Sequence, residues 1–463
     1  MMSKLESIVV SGVFMISMIW YLTAESKQTG FFGFVYSLLL LPSVLLLVAA
    51  VIVCCPRDLP ADGLKDRWKI RIILTIRNII NLVGGVVCYF GFACYTTSTA
   101  RMYNYLLSIG QSYLGVIEFD DAIEGVKVKI FKPTEVEDSD ELIPGVVYIH
   151  GGGWTSMSTE THRRLTSLLC KHLNKIVISI SYSVVPEVHF PQPVDECLKV
   201  TKYLLNHGDH KYRIKRDDII IAGDDVGANM AAVIAQELRN VDDDTPRLTK
   251  QILIDPVLQF FDFELASHVE NDRYDLLASS RSLAHRFLFY VDRSPFYATE
   301  ILRNRHVDAA DREKYGYLVD RGLSTTTPEP RIHEYTPHSY QDLVYYYHGD
   351  ATPGQIRPPV TRRLTDPVEN DAIVAADLRA AVLDPRVAPL MRDDLDGLPP
   401  AVIVTSRYSI TRDDGSIYGR RLESAGVKVV STEFEQTFHG HLVYAHVLES
   451  ARDNAMKLIE LIR

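Results

Sequence analysis

A strand-like run, a tight turn and a helix-like run follow directly on one another at residues 219–233, and no other feature constrains the fold as strongly. The apolar run 219–222 leads into Gly223-Asp224-Asp225-Val226-Gly227, and an alanine-rich, helix-like stretch follows. Glycine at both ends of the turn lets the backbone reverse direction sharply. Such a turn is typical of a parallel α/β sheet in which one residue, here Asp225, is held at the carboxyl end of a central strand.

Two other segments have the sequence features of acyl-transfer chemistry. Residues 146–149 have the pattern of a buried strand and lead into His150-Gly151-Gly152-Gly153, a loop whose backbone N–H groups can turn toward a developing oxyanion. Near the carboxyl end, His439 follows a strand-like run at 427–431, where a catalytic base comes last in chain order. The glycine loop, the turn and the histidine therefore occur in the order that an α/β-hydrolase requires.

In these motifs the chain resembles the arylacetamide deacetylases, which belong to the hormone-sensitive-lipase group of α/β-hydrolases. The likeness extends over roughly residues 105–463 and includes three further segments, at 185–191, 384–390 and 397–401. The resemblance implies an α/β-hydrolase fold, in which a mostly parallel central sheet is flanked by helices. It also implies a cap insertion at about 257–395.

The resemblance assigns the catalytic positions, and two of them are substituted. The nucleophilic serine of the family falls on Asp225 and its acid on Ser409, whereas the base, His439, is retained. Three backbone N–H groups are the expected oxyanion donors, those of Gly151, Gly152 and Val226. Four more residues complete the two glycine motifs, namely His150, Gly153, Gly223 and Gly227.

These substitutions predict a catalytically inactive member of the family, a pseudoenzyme. A carboxylate that attacked an ester would give a mixed anhydride from a poor nucleophile, and Ser409 leaves His439 without a charged partner. The expected role is therefore to bind a lipid-like ligand, or to act as a subunit or assembly factor of a membrane complex.

Two catalytic alternatives stay open. Some α/β-hydrolases use an aspartate at the turn to attack an epoxide or an alkyl halide, and Asp225 with His439 supplies half of that machinery. The missing acid could come from Asp413, Asp414 or Glu435. The second alternative is residual carboxylic ester hydrolysis.

The first 104 residues have the sequence pattern of a membrane anchor. Three apolar stretches, at about 7–23, 31–54 and 78–96, predict three transmembrane helices. The loop between the second and third stretches carries Arg57, Lys65, Arg67, Lys69 and Arg71, so the positive-inside rule places it in the cytosol. The hydrolase domain, 105–463, would then lie in the lumen of the endoplasmic reticulum, which agrees with what the resemblance implies.

Charge and cysteine content narrow the expected partners. The net charge of −10 divides into +4 for residues 1–104 and −14 for the rest, so nucleic acid is not an expected ligand. The expected partners are the membrane, a lipid-like ligand and other membrane proteins. No cofactor is predicted, and no metal, because His439, His441 and Asp225 do not form a closed ligand set. Cys170 and Cys197 lie outside the anchor, and the sequence leaves open whether they form a disulfide.

Overall fold

The computed structural model describes residues 55, 59–60, 63–89, 95–109, 115–136, 141–239, 246–319 and 371–463. The predicted membrane spans at 7–23 and 31–54 lie outside these residues. Two segments of the predicted cap, 325–330 and 349–359, have a proline-containing composition that predicts long extended loops, and they also lie outside the described residues.

A single eight-stranded sheet organises the described part of the chain, with the strand order β1-β2-β4-β3-β5-β6-β7-β8. Strand β2 runs antiparallel to both β1 and β4, and all pairs from β4 through β3 to β8 are parallel. The strands are β1 (Val116–Ile123), β2 (Val126–Pro133), β3 (Ile143–Ile149), β4 (Ile176–Ile180), β5 (Ile214–Asp224), β6 (Lys250–Ile254), β7 (Ala401–Tyr408) and β8 (Val429–Phe438). The strands predicted at 146–149 and 219–222 are thereby confirmed as β3 and β5.

The helices of the described residues connect the strands and cover both faces of the sheet. They are α1 (Arg67–Tyr89), α2 (Tyr95–Ser108), α3 (Arg163–Leu173), α4 (Gln192–Tyr212), α5 (Val226–Glu237), α6 (Ala266–Asn271), α7 (Ser280–Tyr290), α8 (Ala298–Leu302), α9 (Ala309–Tyr315), α10 (Ala372–Leu383), α11 (Arg412–Ser424) and α12 (Glu449–Ile462). Helices α6 to α10 lie between β6 and β7, in the stretch where the cap was predicted.

Side chains alternate between the two faces of each strand, and this alternation forms two hydrophobic cores. Val147, Ile221 and Leu253 face the core to which α4, α5 and α11 contribute. Their neighbours Val146 and Ile220 face the other core, which α1, α3 and α12 complete. Parallel strands buried on both faces are therefore nearly continuous apolar runs, which made them recognisable in the sequence.

The strand register brings the site residues together. Ile149 pairs with Gly223, and Gly223 pairs with Leu253 on the next strand. The glycine loop after β3, the turn after β5 and the residues after β6 therefore meet at the carboxyl edge of the sheet. Ligand sites of open α/β sheets lie at this edge.

The prediction of three transmembrane helices is not supported. Within the ranges given above, no helix combines the length and the apolar character needed to cross a membrane. The stretch predicted as the third span, 78–96, covers the end of α1 and the beginning of α2. One face of α1 packs on the hydrolase domain through Ile70 and Leu74, and Arg77 forms an ion pair of 2.7 Å with Asp275.

The packing of α1 also corrects the predicted topology. The basic segment expected on the opposite side of the membrane from the hydrolase domain contacts that domain directly. The ammonium group of Lys69 donates a 3.0 Å hydrogen bond to the carbonyl of Val447, and Asp66 accepts hydrogen bonds from Ser450. A loop and a domain that contact each other cannot lie on opposite sides of a bilayer, so the assigned cytosolic loop and lumenal domain are incompatible.

Cys170 and Cys197 are both buried and free. They lie on α3 and α4, which pack on opposite faces of the sheet. The question of a disulfide between them is therefore answered by the fold, because the sheet separates the two thiols.

Candidate functional site

Asp225 occupies the tight turn between β5 and α5. Its backbone is held at φ 53° and ψ −122°, a combination rarely adopted by a residue with a side chain. The flanking glycines make this possible, because a side chain at Gly227 would meet the carbonyl oxygens of Ile149 and His150, and one at Gly223 would meet the backbone of Gly227. The predicted turn is thus formed, with the Asp225 side chain buried at the sheet edge.

The glycine loop donates two hydrogen bonds to the Asp225 carboxylate. The backbone N–H groups of Gly152 and Gly153 lie 3.0 and 2.9 Å from Oδ2 of Asp225. The Gly151 N–H, which was expected to be an oxyanion donor, instead donates to Oδ1 of Asp224 at 3.0 Å. Gly152 and Gly153 are therefore the pair that donates to Asp225, while Val226 is the first residue of α5, directly after Asp225.

His439 lies between the two substituted positions. Its Nε2 is 3.2 Å from Oδ1 of Asp225, and its Nδ1 is 3.0 Å from the hydroxyl oxygen of Ser409. Ser409 in turn is 3.1 Å from the hydroxyl of Thr411. The three positions assigned by resemblance are therefore adjacent in space, in the order Asp225–His439–Ser409.

The side chains of the three alternative acids are not directed at His439. Asp413 accepts a hydrogen bond from the Ser267 N–H, and Asp414 accepts one from the Leu258 N–H. Burial raises the pKa of Asp414 to about 7. Glu435 is exposed on β8. None of the three replaces Ser409 beside His439.

The electrostatics of the pair favour its charged form. Burial opposes the charge of Asp225, but the hydrogen bond and charge of His439, helped by Arg286 and the Gly152 N–H, hold the pKa of Asp225 well below its ordinary value. Burial likewise opposes protonation of His439, and the hydrogen bond and charge of Asp225 outweigh it and raise the pKa of His439. An imidazolium–carboxylate pair in contact is the result.

A second buried carboxylate–histidine pair lies next to the first and was not predicted. His162 Nε2 is 3.1 Å from Oδ2 of Asp224, whose Oδ1 also accepts a 2.7 Å hydrogen bond from the Tyr148 hydroxyl. Burial disfavours the charged forms of both groups, but their mutual attraction outweighs this effect. The pKa of Asp224 is therefore lowered and the pKa of His162 is raised. Through the Gly151 N–H, this pair fixes the glycine loop over Asp225. Nothing in the sequence around His162 signals this contact.

Asp255 is a further buried carboxylate that the sequence reasoning missed. It follows β6 directly, so its position at the carboxyl end of a central strand was the available signal. The Ser406 N–H donates to its Oδ1 at 2.6 Å, and the Gly440 N–H donates to its Oδ2 at 3.3 Å. Burial is the largest influence on Asp255 and raises its pKa. Asp255 holds the loop that carries His439 without bonding to the imidazole.

A cavity of about 120 Å³ opens beside Asp225 and His439. Its lining comes from the glycine loop, the α7 region and the N-terminal helices, and includes Asn81, Thr99, Tyr103, Ser156, Arg286 and Phe289. The cavity is smaller than the several hundred Å³ of a pocket for a drug-sized ligand. No cluster of three or more His, Cys, Asp or Glu side chains suited to a metal occurs in the described ranges.

This fold and this site define a class, the α/β-hydrolases, and comparison with known proteins agrees. A family model described as "alpha/beta hydrolase fold" matches residues 146–302 and 351–443, so the chain belongs to the α/β-hydrolase family. Among solved structures, an esterase from Pyrobaculum calidifontis superposes with a TM-score of 0.55 at 20% identity, over 84% of this chain and 96% of the esterase. That likeness concerns the fold.

Within the family, the similar relatives are arylacetamide deacetylases and neutral cholesterol ester hydrolases, as the motifs indicated. The chain is 29% identical to arylacetamide deacetylase of Bos taurus, with 83% of this chain and 89% of the relative aligned. It is 28% identical to neutral cholesterol ester hydrolase 1 of Bos taurus over 87% and 92% of the two chains. Arylacetamide deacetylase-like 3 of Homo sapiens is 30% identical over 71% of this chain and 72% of its own length.

Proposed function

We propose that this protein is a member of the α/β-hydrolase family that does not hydrolyse esters. The observation that carries the proposal is the pair of hydrogen bonds from Gly152 and Gly153 to Oδ2 of Asp225. These N–H groups would stabilise the oxyanion of a tetrahedral intermediate, and the protein's own carboxylate already occupies them. The same carboxylate stands where a hydroxyl nucleophile would be required.

The base is also unsuited to ester hydrolysis. A general base must be unprotonated before it can accept a proton, whereas Asp225 raises the pKa of His439 and so favours the imidazolium. On its other side, Nδ1 of His439 meets the neutral hydroxyl of Ser409 where a carboxylate would orient and stabilise the ring. Nucleophile, oxyanion donors and base therefore all oppose serine-type catalysis.

The cavity next to the pair supports a binding role for the site. The names of its relatives include a cholesterol ester hydrolase, and this supports a lipid-like ligand whose polar end enters the cavity. A role as a subunit or assembly factor of a membrane complex is the other form of this proposal. The apolar run at 31–54 supports an association with a membrane, which the resemblance to the arylacetamide deacetylases suggests is that of the endoplasmic reticulum.

Hydrolysis of short acyl nitrophenyl esters by the full-length protein in detergent tests the proposal. We expect the rate to equal that of the His439→Ala variant, because neither protein has a working nucleophile and base. Both proteins are checked for equal folding by thermal unfolding. A robust rate that His439→Ala abolishes would refute the non-hydrolytic assignment.

One observation favours a second candidate, an enzyme in which Asp225 is the nucleophile. With Oδ2 held by two N–H groups, Oδ1 is the oxygen that could attack a saturated carbon, and His439 is beside it to activate water in the next step. Attack of Oδ1 on an epoxide carbon would break the ring C–O bond and leave an alkyl ester on Asp225, and the new alkoxide would take a proton from the His439 imidazolium, which would then be the neutral base for water. Water that has lost a proton to His439 would then cleave the ester, release a diol and return the Asp225 carboxylate.

A trapping experiment separates the two candidates. In His439→Gln the water-activating group is absent, so an ester on Asp225 would persist and appear as a substrate-sized mass increase on its peptide. We expect no adduct over a panel of epoxides and alkyl halides. An adduct on Asp225 would establish the aspartate-nucleophile candidate and displace the first one.

A further inference from the structure

Helices α1 and α2 present an unusual number of exposed apolar side chains. On α1 these are Trp68, Ile76 and Val83, and on α2 and the residue after it they are Tyr105, Leu106 and Ile109. Trp68 is 61% exposed, Tyr105 71% and Ile109 54%. Exposed apolar side chains that have no function are normally scattered singly over a protein surface. Their concentration on one pair of helices therefore indicates an interaction surface.

The exposed apolar groups of α1, together with the half-buried Ile72 and Ile79, form a continuous stripe. The stripe consists of Trp68, Ile72, Ile76, Ile79 and Val83. These residues follow one another at intervals of four, four, three and four positions, so they share one face of the helix. The opposite face is already used, since Ile70 and Leu74 are buried in the core and Arg77 is paired with Asp275. Helix α1 is therefore apolar on two faces, and the domain covers only one of them.

The charge of this pair of helices is opposite to that of the rest of the protein. Helices α1 and α2 contain no Asp or Glu, and they carry five basic residues, Arg67, Lys69, Arg71, Arg77 and Arg101. The residues after position 104 have a net charge of −14. An apolar stripe that includes a tryptophan and has basic residues beside it matches the headgroup region of an anionic bilayer.

The position of the stripe in the chain points to the same partner. The apolar run 31–54 ends only 13 residues before α1 begins at Arg67. If that run enters a membrane, α1 is held within reach of its surface. We propose that the outward face of α1 and α2, defined by Trp68, Ile76, Val83, Tyr105, Leu106 and Ile109, docks on an anionic lipid surface with α1 lying along it.

This docking would orient the cavity. Asn81 of α1 and Thr99 and Tyr103 of α2 line the cavity beside Asp225. The helices that contact lipid are therefore also one wall of the cavity. A molecule leaving the bilayer would meet this wall first, which is independent of whether the site hydrolyses, binds or does neither.

Quenching of Trp68 by brominated lipids tests the docking. The chain has three tryptophans, and Trp154 is fully buried, so in a Trp20→Phe background Trp68 is the tryptophan within reach of a quencher. The full-length protein is reconstituted in nanodiscs of brominated phosphatidylcholine with phosphatidylserine. We expect brominated lipid to quench Trp68 and aqueous iodide to leave it unquenched.

A matched control moves the accessible tryptophan from α1 to the hydrolase domain. The variant Trp20→Phe/Trp68→Phe/Phe296→Trp has its accessible tryptophan at a position that is 55% exposed on the hydrolase domain, and we expect iodide to quench it. Quenching of Trp68 by iodide would show a face in water, and quenching by neither agent would show a face covered by residues 1–54 or another protein. Either result overturns the proposal.

Removal of basic residues distinguishes docking on an anionic lipid surface from unspecific adhesion. Each Arg near an anionic surface contributes about fivefold to binding, so Arg71→Gln/Arg101→Gln should lower the docking equilibrium about 30-fold and reduce bromolipid quenching. Lys199→Gln/Lys215→Gln, which removes two exposed charges from the hydrolase domain, should leave the quenching unchanged. Equal quenching in both double variants would contradict the role assigned to the basic residues.

Discussion

The carboxylate of Asp225 changes what each neighbouring group can do. A serine hydroxyl at this position would leave the N–H groups of Gly152 and Gly153 available to a substrate, and it would leave His439 uncharged. The aspartate instead binds both donors through Oδ2 and the imidazole through Oδ1. Under the proposed function, one substitution therefore alters the nucleophile, the oxyanion donors and the base together.

Restoring activity should need more than the nucleophile. We expect Asp225→Ser to have no measurable esterase activity, because Nδ1 of His439 would still face Ser409. Asp225→Ser/Ser409→Asp should recover a trace, since loss of the charged acid costs about 10⁴ in turnover in a serine protease. Nitrophenyl ester assays measure both, with Asp225→Ser/Ser409→Asn as the uncharged control. Full activity from the single change would mean that another group already supplies the acid.

The ion pair should make stability depend on pH in a bell shape. The raised pKa of His439 stabilises the fold below pH 6.5, its unfolded value, and this contribution is lost as pH rises through the folded pKa. The lowered pKa of Asp225 stabilises the fold above pH 3.8 and is lost as pH falls through its folded pKa. Thermal unfolding of Asp225→Asn should therefore differ most from the natural protein between pH 3.8 and 6.5. A difference that is constant with pH would exclude a charged pair.

The turn after β5 depends on the close approach of α5 to the glycine loop. Gly227, in the first turn of α5, lies against the carbonyl oxygens of Ile149 and His150, so the helix axis can reach the sheet edge. This approach places Asp225 within hydrogen-bonding distance of the loop. The geometry of the site is therefore set by how three elements pack, more than by any one side chain.

Replacing Gly227 by alanine should separate these elements. The added methyl group has no space, and overpacking of this kind costs about 1–3 kcal/mol or more. We expect a lower unfolding temperature for Gly227→Ala than for Gly316→Ala, because nothing lies within 4 Å of a methyl group at Gly316. Calorimetry compares the two variants, and equal unfolding temperatures would show that α5 can shift at no cost.

Much of this architecture could be predicted from the sequence, and the failures have physical causes. Strands β3 to β7 are apolar runs buried on both faces, whereas β1 was missed because this edge strand is largely open to solvent and carries charges such as Asp120. The hydrogen-bond partners of the glycine loop could not be predicted, because the direction of each N–H depends on backbone angles such as φ 113° at Gly152. The contacts of His162 and Asp255 join distant segments that no local pattern connects.

Helix α1 shows why hydropathy alone is a poor guide to which helices cross a membrane. An apolar helix that packs on a domain through Ile70 and Leu74 has much the same composition as one that crosses a membrane. What differs is Arg77, whose guanidinium donates to both the carboxylate and the carbonyl of Asp275. A charge with a partner near the cap marks a helix that belongs to the domain.

Breaking this contact should loosen the helix without unfolding the domain. We expect the amides of α1 to exchange hydrogen about fivefold faster in Arg77→Met, which corresponds to about 1 kcal/mol of local stability. That value is modest because Asp275 is partly exposed and screened by solvent. In detergent, Arg71→Met should exchange like the natural protein. Hydrogen exchange read by mass spectrometry makes the comparison, and unchanged exchange in Arg77→Met would show that apolar packing alone holds α1.

The hydrogen bonds of Asp225 have one more consequence under the proposed function. Hydrolysis of an ester releases a carboxylic acid, and a product carboxylate binds where these N–H groups point. Here the carboxylate belongs to the chain itself, so it never diffuses away, and its effective concentration exceeds what a dissolved competitor can reach. Under this proposal the two N–H donors are permanently in the product-bound state of a hydrolase, and raising the substrate concentration cannot free them.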